Sequence, residues 1–219
     1  MIYLVKNKFE LVNINIESSK IAFLIPTTSK NKKWDSIFES YLYNKTFKTF
    51  INTYVNKIHN IIFYIGIDQD DPFWSLEKNQ DSLSIEFKKH NIILKFIPMI
   101  NISKGHLTKM WNKLFEYAYK DECDYFYQCG DDIIFKTNNW LDDCIKILKY
   151  NNDIGLTGIP CQNGEILTQS FVSRKHMEIF KYYFPTTIIN WYCDTWINEV
   201  YYKTNYYFPL IDHKCLNDN

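Results

Sequence analysis

Two groups of carboxylates follow apolar runs of the chain and have the chemistry to hold a metal ion or a nucleoside. Asp131 and Asp132 come one glycine after the run Tyr125–Cys129, and Asp68 directly follows the run Ile61–Ile67. Carboxylate oxygens are the ligands that Mg²⁺ and Mn²⁺ prefer, and such an ion then bridges to diphosphate oxygens. We therefore expect Mn²⁺ or Mg²⁺ at Asp132, with Asp131 second, and a ribose or base at Asp68. A ligand-free Gly-Asp-Asp hairpin turn explains the first group equally well.

A third polar segment has the composition of an anion site. Gly105 begins a helical pattern, and Lys104 and Lys109 add positive charge around that start. The amides at a helix N-terminus and nearby lysines together attract phosphate, although most such segments are ordinary helix starts. Pro26 and Thr27, which close the first apolar run, are predicted to line the same site.

One carboxylate in the second half of the chain lies among aromatic residues. Asp194 is flanked by Trp191 and Trp196. A carboxylate in such surroundings suits a general base that takes a proton from a hydroxyl, and the two indoles suit an acceptor molecule. The alternative is that Asp194 is a helix N-cap, because it precedes a run with helical character.

The elements that must position these residues alternate between strands and helices. Buried strands are predicted at Ile21–Pro26, Ile61–Ile67, Ile92–Ile97 and Tyr125–Cys129, with one or two helices over Trp34–Asn60 and others at Gly105–Lys120 and Trp140–Tyr150. A turn region is predicted at Gly155–Gly164 and a last apolar segment at Tyr206–Ile211. This β-α-β-β-α-β order predicts a mostly parallel sheet flanked by helices, which binds ligands at the carboxyl ends of its strands.

Composition excludes several other classes. Lys and Arg together number 25, as do Asp and Glu, so no overall positive charge would attract nucleic acid. No apolar run reaches the roughly 20 residues of a membrane-spanning helix, and residues 1–17 do not resemble a signal peptide. We expect a cytoplasmic protein whose six cysteines are free thiols. The length favours a single domain over residues 1–219.

Two stretches together carry a resemblance to a known family. Lys104–Trp140, with Asn112 and Asp131-Asp132, resembles the donor-binding half of family 2-like GT-A glycosyltransferases. Gly158–Tyr201 resembles the glycosyltransferases of large DNA viruses, which would place the protein in host cytoplasm or a virion. One departure is that Gly130 stands where the usual Asp-x-Asp triplet has its leading acid.

The resemblance implies a single GT-A (Rossmann-like) domain, a nucleotide-sugar donor and a divalent metal. It implies a donor half at about 21–135, an acceptor half at about 136–219, and a downstream histidine, His213, that completes the metal site. The expected activity is an inverting transfer from a UDP-sugar to a glycan or protein acceptor. A metal-dependent nucleotidyltransferase and an inactive nucleotide- or sugar-binding module remain as alternatives, and the oligomeric state stays open.

Overall fold

The structure is a computed structural model that describes residues 14–160 and 166–218. Its strands are β1 (Lys20–Thr27), β2 (Asn60–Ile67), β3 (Ile93–Pro98), β4 (Tyr125–Gln128), β5 (Ile133–Phe135), β6 (Leu156–Gly158), β7 (Ser170–Ser173), β8 (Tyr207–Pro209) and β9 (Cys215–Asn217). Its helices are α1 (Lys48–Thr53), α2 (Glu77–Lys88), α3 (Leu107–Lys120), α4 (Trp140–Tyr150), α5 (Arg174–Phe180) and α6 (Cys193–Lys203). A 3₁₀ turn (Ile37–Glu39) and a π-helical segment (Leu42–Phe47) lead into α1.

A seven-stranded sheet with the order β3-β2-β1-β4-β7-β6-β8 forms the centre of the fold. β1 pairs in parallel with both β2 and β4, and β2 pairs in parallel with β3. β7 is antiparallel to β4 and β6, whereas β6 and β8 are parallel. The predicted α/β class and mostly parallel sheet are therefore confirmed.

The strand order also fixes where a ligand crevice forms. The chain runs outward from β1 to β2 and β3, and α3 then brings it back to the other side of β1 as β4. The connections on the two sides of β1 leave in opposite directions, so a crevice opens between the carboxyl ends of β1 and β4. Pro26 and Thr27 end β1 at this point, and Asp131 follows β4.

Hydrophobic packing covers both faces of this sheet. One core joins alternate residues of β1 to α1, α2 and α4, and the other joins the remaining residues to α3, α5 and α6. β1 is buried from Ile21 to Thr27, as expected for a strand covered on both faces. This double cover makes the central strands a rigid base for the loops at their carboxyl ends.

Several sequence predictions need correction. A helix, α2, separates β2 from β3, where the sequence predicted two successive strands. Its predominantly polar sequence buries only Leu83 and Phe87, so its helical periodicity is faint. The predicted turn region Gly155–Gly164 contains β6, and the helical region predicted to extend to Asn60 ends at Thr53.

Some expectations lie outside the described residues. They are the absence of a signal peptide over the first 13 residues, the thiol of Cys161, and the part of the turn region from 161 to 164. Among the described helices, none has the length and apolar character needed to cross a membrane.

Candidate functional site

The first and fourth strands of the sheet deliver two polar side chains to the crevice between them. Thr27, the last residue of β1, donates its hydroxyl hydrogen to Oδ2 of Asp131 across 2.5 Å. β1 and β4 are in parallel register, so residues that follow them in the chain emerge at the same edge. The structure thus brings together two residues that the sequence predicts to bind one donor.

The two carboxylates of this crevice have unusual electrostatics. Burial raises the pKa of Asp131 to about 6; the Thr27 hydrogen bond lowers it, while the charge of Asp132 raises it further. Burial also raises the pKa of Asp132, while the charges of Lys45 and Lys32 lower it. A cation or a hydrogen-bond donor at this position would relieve the cost of keeping both carboxylates ionised.

A side chain in place of Gly130, which precedes this pair, would meet the Asp132 carboxylate. A Cβ atom on Gly130 would approach Oδ1 of Asp132 to 2.6 Å, closer than such atoms come in proteins. The Asp132 carboxylate therefore folds back over the Gly130 backbone. A side chain at position 130 would therefore require the Asp132 carboxylate to move.

The strand after the pair is held by the last described strand. β5 pairs with β9, whereas β4 pairs with β1 and β7, so β4 and β5 do not form a hairpin. Gly130–Asp132 is therefore a turn but not a hairpin turn, and the metal at Asp132 stays a prediction. Oriented as a donor, the side-chain amide of Asn217 in β9 lies 3.1 and 3.2 Å from the two carboxylate oxygens of Asp132.

A buried carboxylate that the sequence analysis did not select joins the loop after β1 to the loop after β2. Asp71 is 3% exposed and accepts hydrogen bonds from the Ser29 amide at 2.7 Å, the Ser29 hydroxyl at 2.6 Å and the Trp74 amide at 2.7 Å. Ser29 lies in the loop after β1, and Trp74 in the loop after β2. Asp71 thus fixes these loops to each other.

Asp68, the predicted nucleoside ligand, lies in the same loop after β2. Burial raises the pKa of Asp68, and the charge of Lys104 lowers it. Lys104 forms an exposed ion pair with Asp70 at 2.7 Å, so its ammonium group lies within electrostatic reach of both acids. The structure therefore places two predicted donor-binding residues, Asp68 and Lys104, side by side.

The other two residues predicted from α3 behave differently. Oδ1 of Asn112 accepts the amides of Tyr183 and Phe184 at 2.9 and 2.8 Å, and its Nδ2 donates to the Phe184 carbonyl at 2.7 Å. These bonds make Asn112 a clamp on the 183–184 backbone, and its contact with a donor stays a prediction. Lys109 is exposed on the same helix.

His213, the predicted third metal ligand, has both ring nitrogens engaged elsewhere. Nε2 lies 3.0 Å from Oδ2 of Asp143, and Nδ1 lies 3.1 Å from the Thr137 hydroxyl. Burial would raise the pKa of Asp143, but the hydrogen bonds from His213 and Lys146 bring it below its ordinary value. In this arrangement His213 ties the segment before β9 to the start of α4.

The carboxylates of the crevice fit a hard divalent cation that takes its remaining ligands from substrate and water. Within residues 14–160 and 166–218, no group of three or more His, Cys, Asp or Glu side chains is arranged around a metal position. Mg²⁺ and related ions are often held by one or two carboxylates together with substrate phosphates and water. Asp131 and Asp132 meet that minimal requirement.

The loop that precedes Asp194 in the chain contacts the start of α3. The N-terminus of α3 lies at the carboxyl end of β3, and the Thr108 amide and hydroxyl there donate to the carbonyls of Ile189 and Ile188 at 3.3 and 2.5 Å. The loop that contains these carbonyls leads directly into α6. Asp194 is half-buried in the first turn of that helix, and its Oδ1 accepts the Thr195 amide at 2.8 Å.

The helix-cap alternative for Asp194 is wrong, because Tyr192 is the N-cap of α6 and Asp194 lies inside the helix. The two tryptophans differ in exposure. Trp191 is 83% exposed, whereas Trp196 is half-buried against Phe180 and Tyr182. Of the two tryptophans, Trp191 therefore offers the more open aromatic face.

Comparison with known proteins yields structural neighbours only. No protein-family description matches the chain, and no curated protein matches its sequence. The crystal structure of S. aureus TarS 1–349 in complex with UDP-GlcNAc matches with a TM-score of 0.59 at 12% identity, over 91% of this chain and 59% of that chain. The complex of the same TarS fragment with UDP matches with a TM-score of 0.56 at 12% identity, over 90% of this chain and 60% of that chain.

The longer crystal structure of S. aureus TarS matches with a TM-score of 0.58 at 12% identity, over 91% of this chain but 37% of that chain. The chain therefore spans well under two thirds of the length of the structures that it matches. These structures are bacterial, so the resemblance to viral glycosyltransferases stays a prediction. Strand order and structural likeness agree that the chain has a mixed α/β fold like that of these structures.

Proposed function

We propose that this chain is a glycosyltransferase that moves a sugar from a UDP-sugar to an acceptor hydroxyl, with inversion at the anomeric carbon. The observation that supports the proposal is the hydrogen bond between Thr27 and Asp131, which joins two donor-binding candidates at the carboxyl ends of β1 and β4. Sheets of this type bind nucleotides at that place. The TarS structures, which share the fold, were solved with UDP and with UDP-GlcNAc.

The donor half of the site is assigned by position. Asp68 would accept hydrogen bonds from the ribose or the base, and Pro26 and Thr27 would line the crevice beneath it. Asp132, with Asp131 beside it, would hold Mn²⁺ or Mg²⁺. Such an ion, when bound, offsets the negative charge that develops on the departing diphosphate. His213 could join this site only after leaving Asp143.

The acceptor half centres on Asp194. In the proposed step the acceptor hydroxyl gives its proton to the Asp194 carboxylate, and its oxygen attacks the anomeric carbon. The bond between that carbon and the phosphate oxygen breaks, and UDP leaves with the electron pair. Trp191, whose indole is exposed, would stack against the acceptor sugar or peptide, and Trp196 would support it.

The variant Asp194→Asn tests the base. It keeps the shape of the side chain but removes the proton acceptor, so UDP release from UDP-GlcNAc with Mn²⁺ should fall by about 10²- to 10⁴-fold. The assay is run with water and with added glycan acceptors, and donor affinity should be unchanged. Glu199→Gln, an exposed carboxylate on the same helix, is the matched control and should keep full activity.

Two outcomes would contradict the proposed mechanism. One is an Asn variant that folds normally and releases UDP at the rate of the parent. The other is a product that retains the anomeric configuration of the donor. If the parent binds UDP-GlcNAc but never releases UDP, an inactive binding module explains the chain better.

A further inference from the structure

Two lysines share one aromatic ring beside the acidic pair. Lys32 lies in the loop after β1, and Lys45 lies in the π-helical segment before α1. The ammonium nitrogens are 4.1 Å (Lys32) and 3.6 Å (Lys45) from the centre of the Tyr41 ring, and Lys32 also donates to the Tyr41 hydroxyl at 3.0 Å. Cation–π contacts of this kind fix both ammonium groups in one place.

The charges of these lysines are only partly neutralised. Lys45, whose side chain is 17% exposed, forms an ion pair with the more exposed Asp218 at 3.1 Å. Lys32 forms no ion pair with a carboxylate in the part of the chain that the structure describes. Both lysines also act on the nearby Asp132 carboxylate, whose pKa their charges lower. Two like charges near one ring still repel each other, and an anion between them would relieve that repulsion.

Backbone contacts place the pair next to the crevice. The amide of Asp218, the partner of Lys45, donates to the Asp132 carbonyl at 3.2 Å. Thr46, the neighbour of Lys45, accepts the amide of Ile133 at 3.0 Å, and Ile133 directly follows Asp132. The Lys32 amide donates to the Ser29 carbonyl at 2.9 Å, which keeps Lys32 close to the end of β1. Short π-helical segments are rare and are often found at functional sites.

We propose that Lys32 and Lys45 form a diphosphate-binding site for the sugar donor, an inference that rests on the function proposed above. A diphosphate presents adjacent anionic oxygens, and lysine ammonium groups bind such oxygens as point charges. Asp218 is exposed, so a diphosphate, which carries more negative charge than one carboxylate, would replace it as the partner of Lys45. The site would favour nucleoside diphosphates over monophosphates, because a single phosphate engages the two lysines less completely.

Glutamine variants measure this contribution. Lys32→Gln and Lys45→Gln should each weaken UDP binding about 10-fold, the loss expected for one charged hydrogen bond, and leave uridine binding unchanged. Titration calorimetry with UDP, UMP, uridine and inorganic pyrophosphate is run with Mn²⁺ and again with a chelator. Lys33→Gln and Lys48→Gln are the matched controls, because Lys33 is the exposed neighbour of Lys32 and Lys48 is exposed at the start of α1, one turn after Lys45.

The outcomes separate this inference from the proposed function. Arginine at either position should retain most of the UDP affinity, which also shows that the site folds. Unchanged UDP affinity in both glutamine variants, or an equal loss of UDP and uridine, would overturn the lysine site. If the parent binds pyrophosphate through the lysines but no uridine nucleotide, the lysine site stands and the proposed function fails. A parent that binds neither ligand would overturn both.

Discussion

Asp131 titrates far from the ordinary range of an aspartate. Its pKa rises from 3.8 in the unfolded chain to about 6 in the folded protein, chiefly through burial. The folded state therefore binds this proton more tightly. The stability that Asp131 contributes is present below about pH 3.8 and is lost as the pH rises through about 6.

Asp131→Asn should consequently stabilise the free protein at pH 7.5, by about 1–3 kcal/mol, and have little effect at pH 4. Denaturant unfolding of parent and variant at the two pH values measures the difference. The same variant should lose metal-dependent UDP binding, because it removes a carboxylate from the site. Asp81→Asn, an exposed aspartate on α2, is the control and should follow the parent at both values. Equal stability of Asp131→Asn and parent at pH 7.5 would show that this carboxylate is not costly to bury.

At the scale of elements, the crevice depends on the joint between the loops after β1 and β2. The carboxylate of Asp71 is the acceptor for donors on both loops, including Ser29 and Trp74. Lys32 lies in the loop after β1, where its amide donates a hydrogen bond to the Ser29 carbonyl. A substitution at Asp71 should therefore weaken donor binding, although Asp71 itself does not contact the donor in the proposed site.

Asp71→Asn tests this joint. The amide has one acceptor oxygen in place of two and turns its NH₂ group toward a donor, so the free energy of unfolding should fall by about 2–3 kcal/mol. UDP affinity should also fall. The control Asp70→Asn removes an exposed ion pair with Lys104 and should leave stability unchanged within error. Should Asp71→Asn unfold like the parent, the two loops hold together without this carboxylate.

The strands differ in how well the sequence predicts them. β1 and β2 are unbroken apolar runs, so their positions follow directly from the pattern. β7 and β9 have four and three residues, too few to show a period, and each pairs with a strand far away in the chain. For that reason the sequence did not predict that β7 contributes to the core on the second face of the sheet, or that β9 contacts Asp132.

The site divides in the same way. Thr27 and Asp131 follow strands, so the sequence places them at one edge, and the structure brings them into contact. Lys32, Lys45 and Asp71 gain their meaning from contacts between loops. A single sequence does not distinguish these two lysines from other surface lysines, or Asp71 from the neighbouring acidic residues. The roles of Asp194 and Asp132 stay predictions.

On the scale of the whole molecule, a bound donor should stabilise the entire fold, because the site joins residues from β1 through β9. UDP with Mn²⁺ at about 100 times its dissociation constant adds roughly 2.7 kcal/mol to the free energy of unfolding. For a domain of this size that corresponds to a rise of roughly 5–10 °C in Tm. Thermal unfolding with UDP and, as the control, uridine at equal concentration measures it. A Tm that does not respond to UDP would count against a nucleotide site.

The cysteines have a consequence of another kind. Cys123, Cys129, Cys144, Cys193 and Cys215 are all buried. Burial raises the pKa of Cys129 and Cys144 well above the usual thiol value, so neither the solvent nor ionisation helps a reagent to react with them. Alkylation must then wait for the surrounding structure to open. The rate at which Cys215 on β9 is modified therefore measures how often the strand next to the crevice opens. The rate for Cys144 on α4 measures how often the packed interior opens.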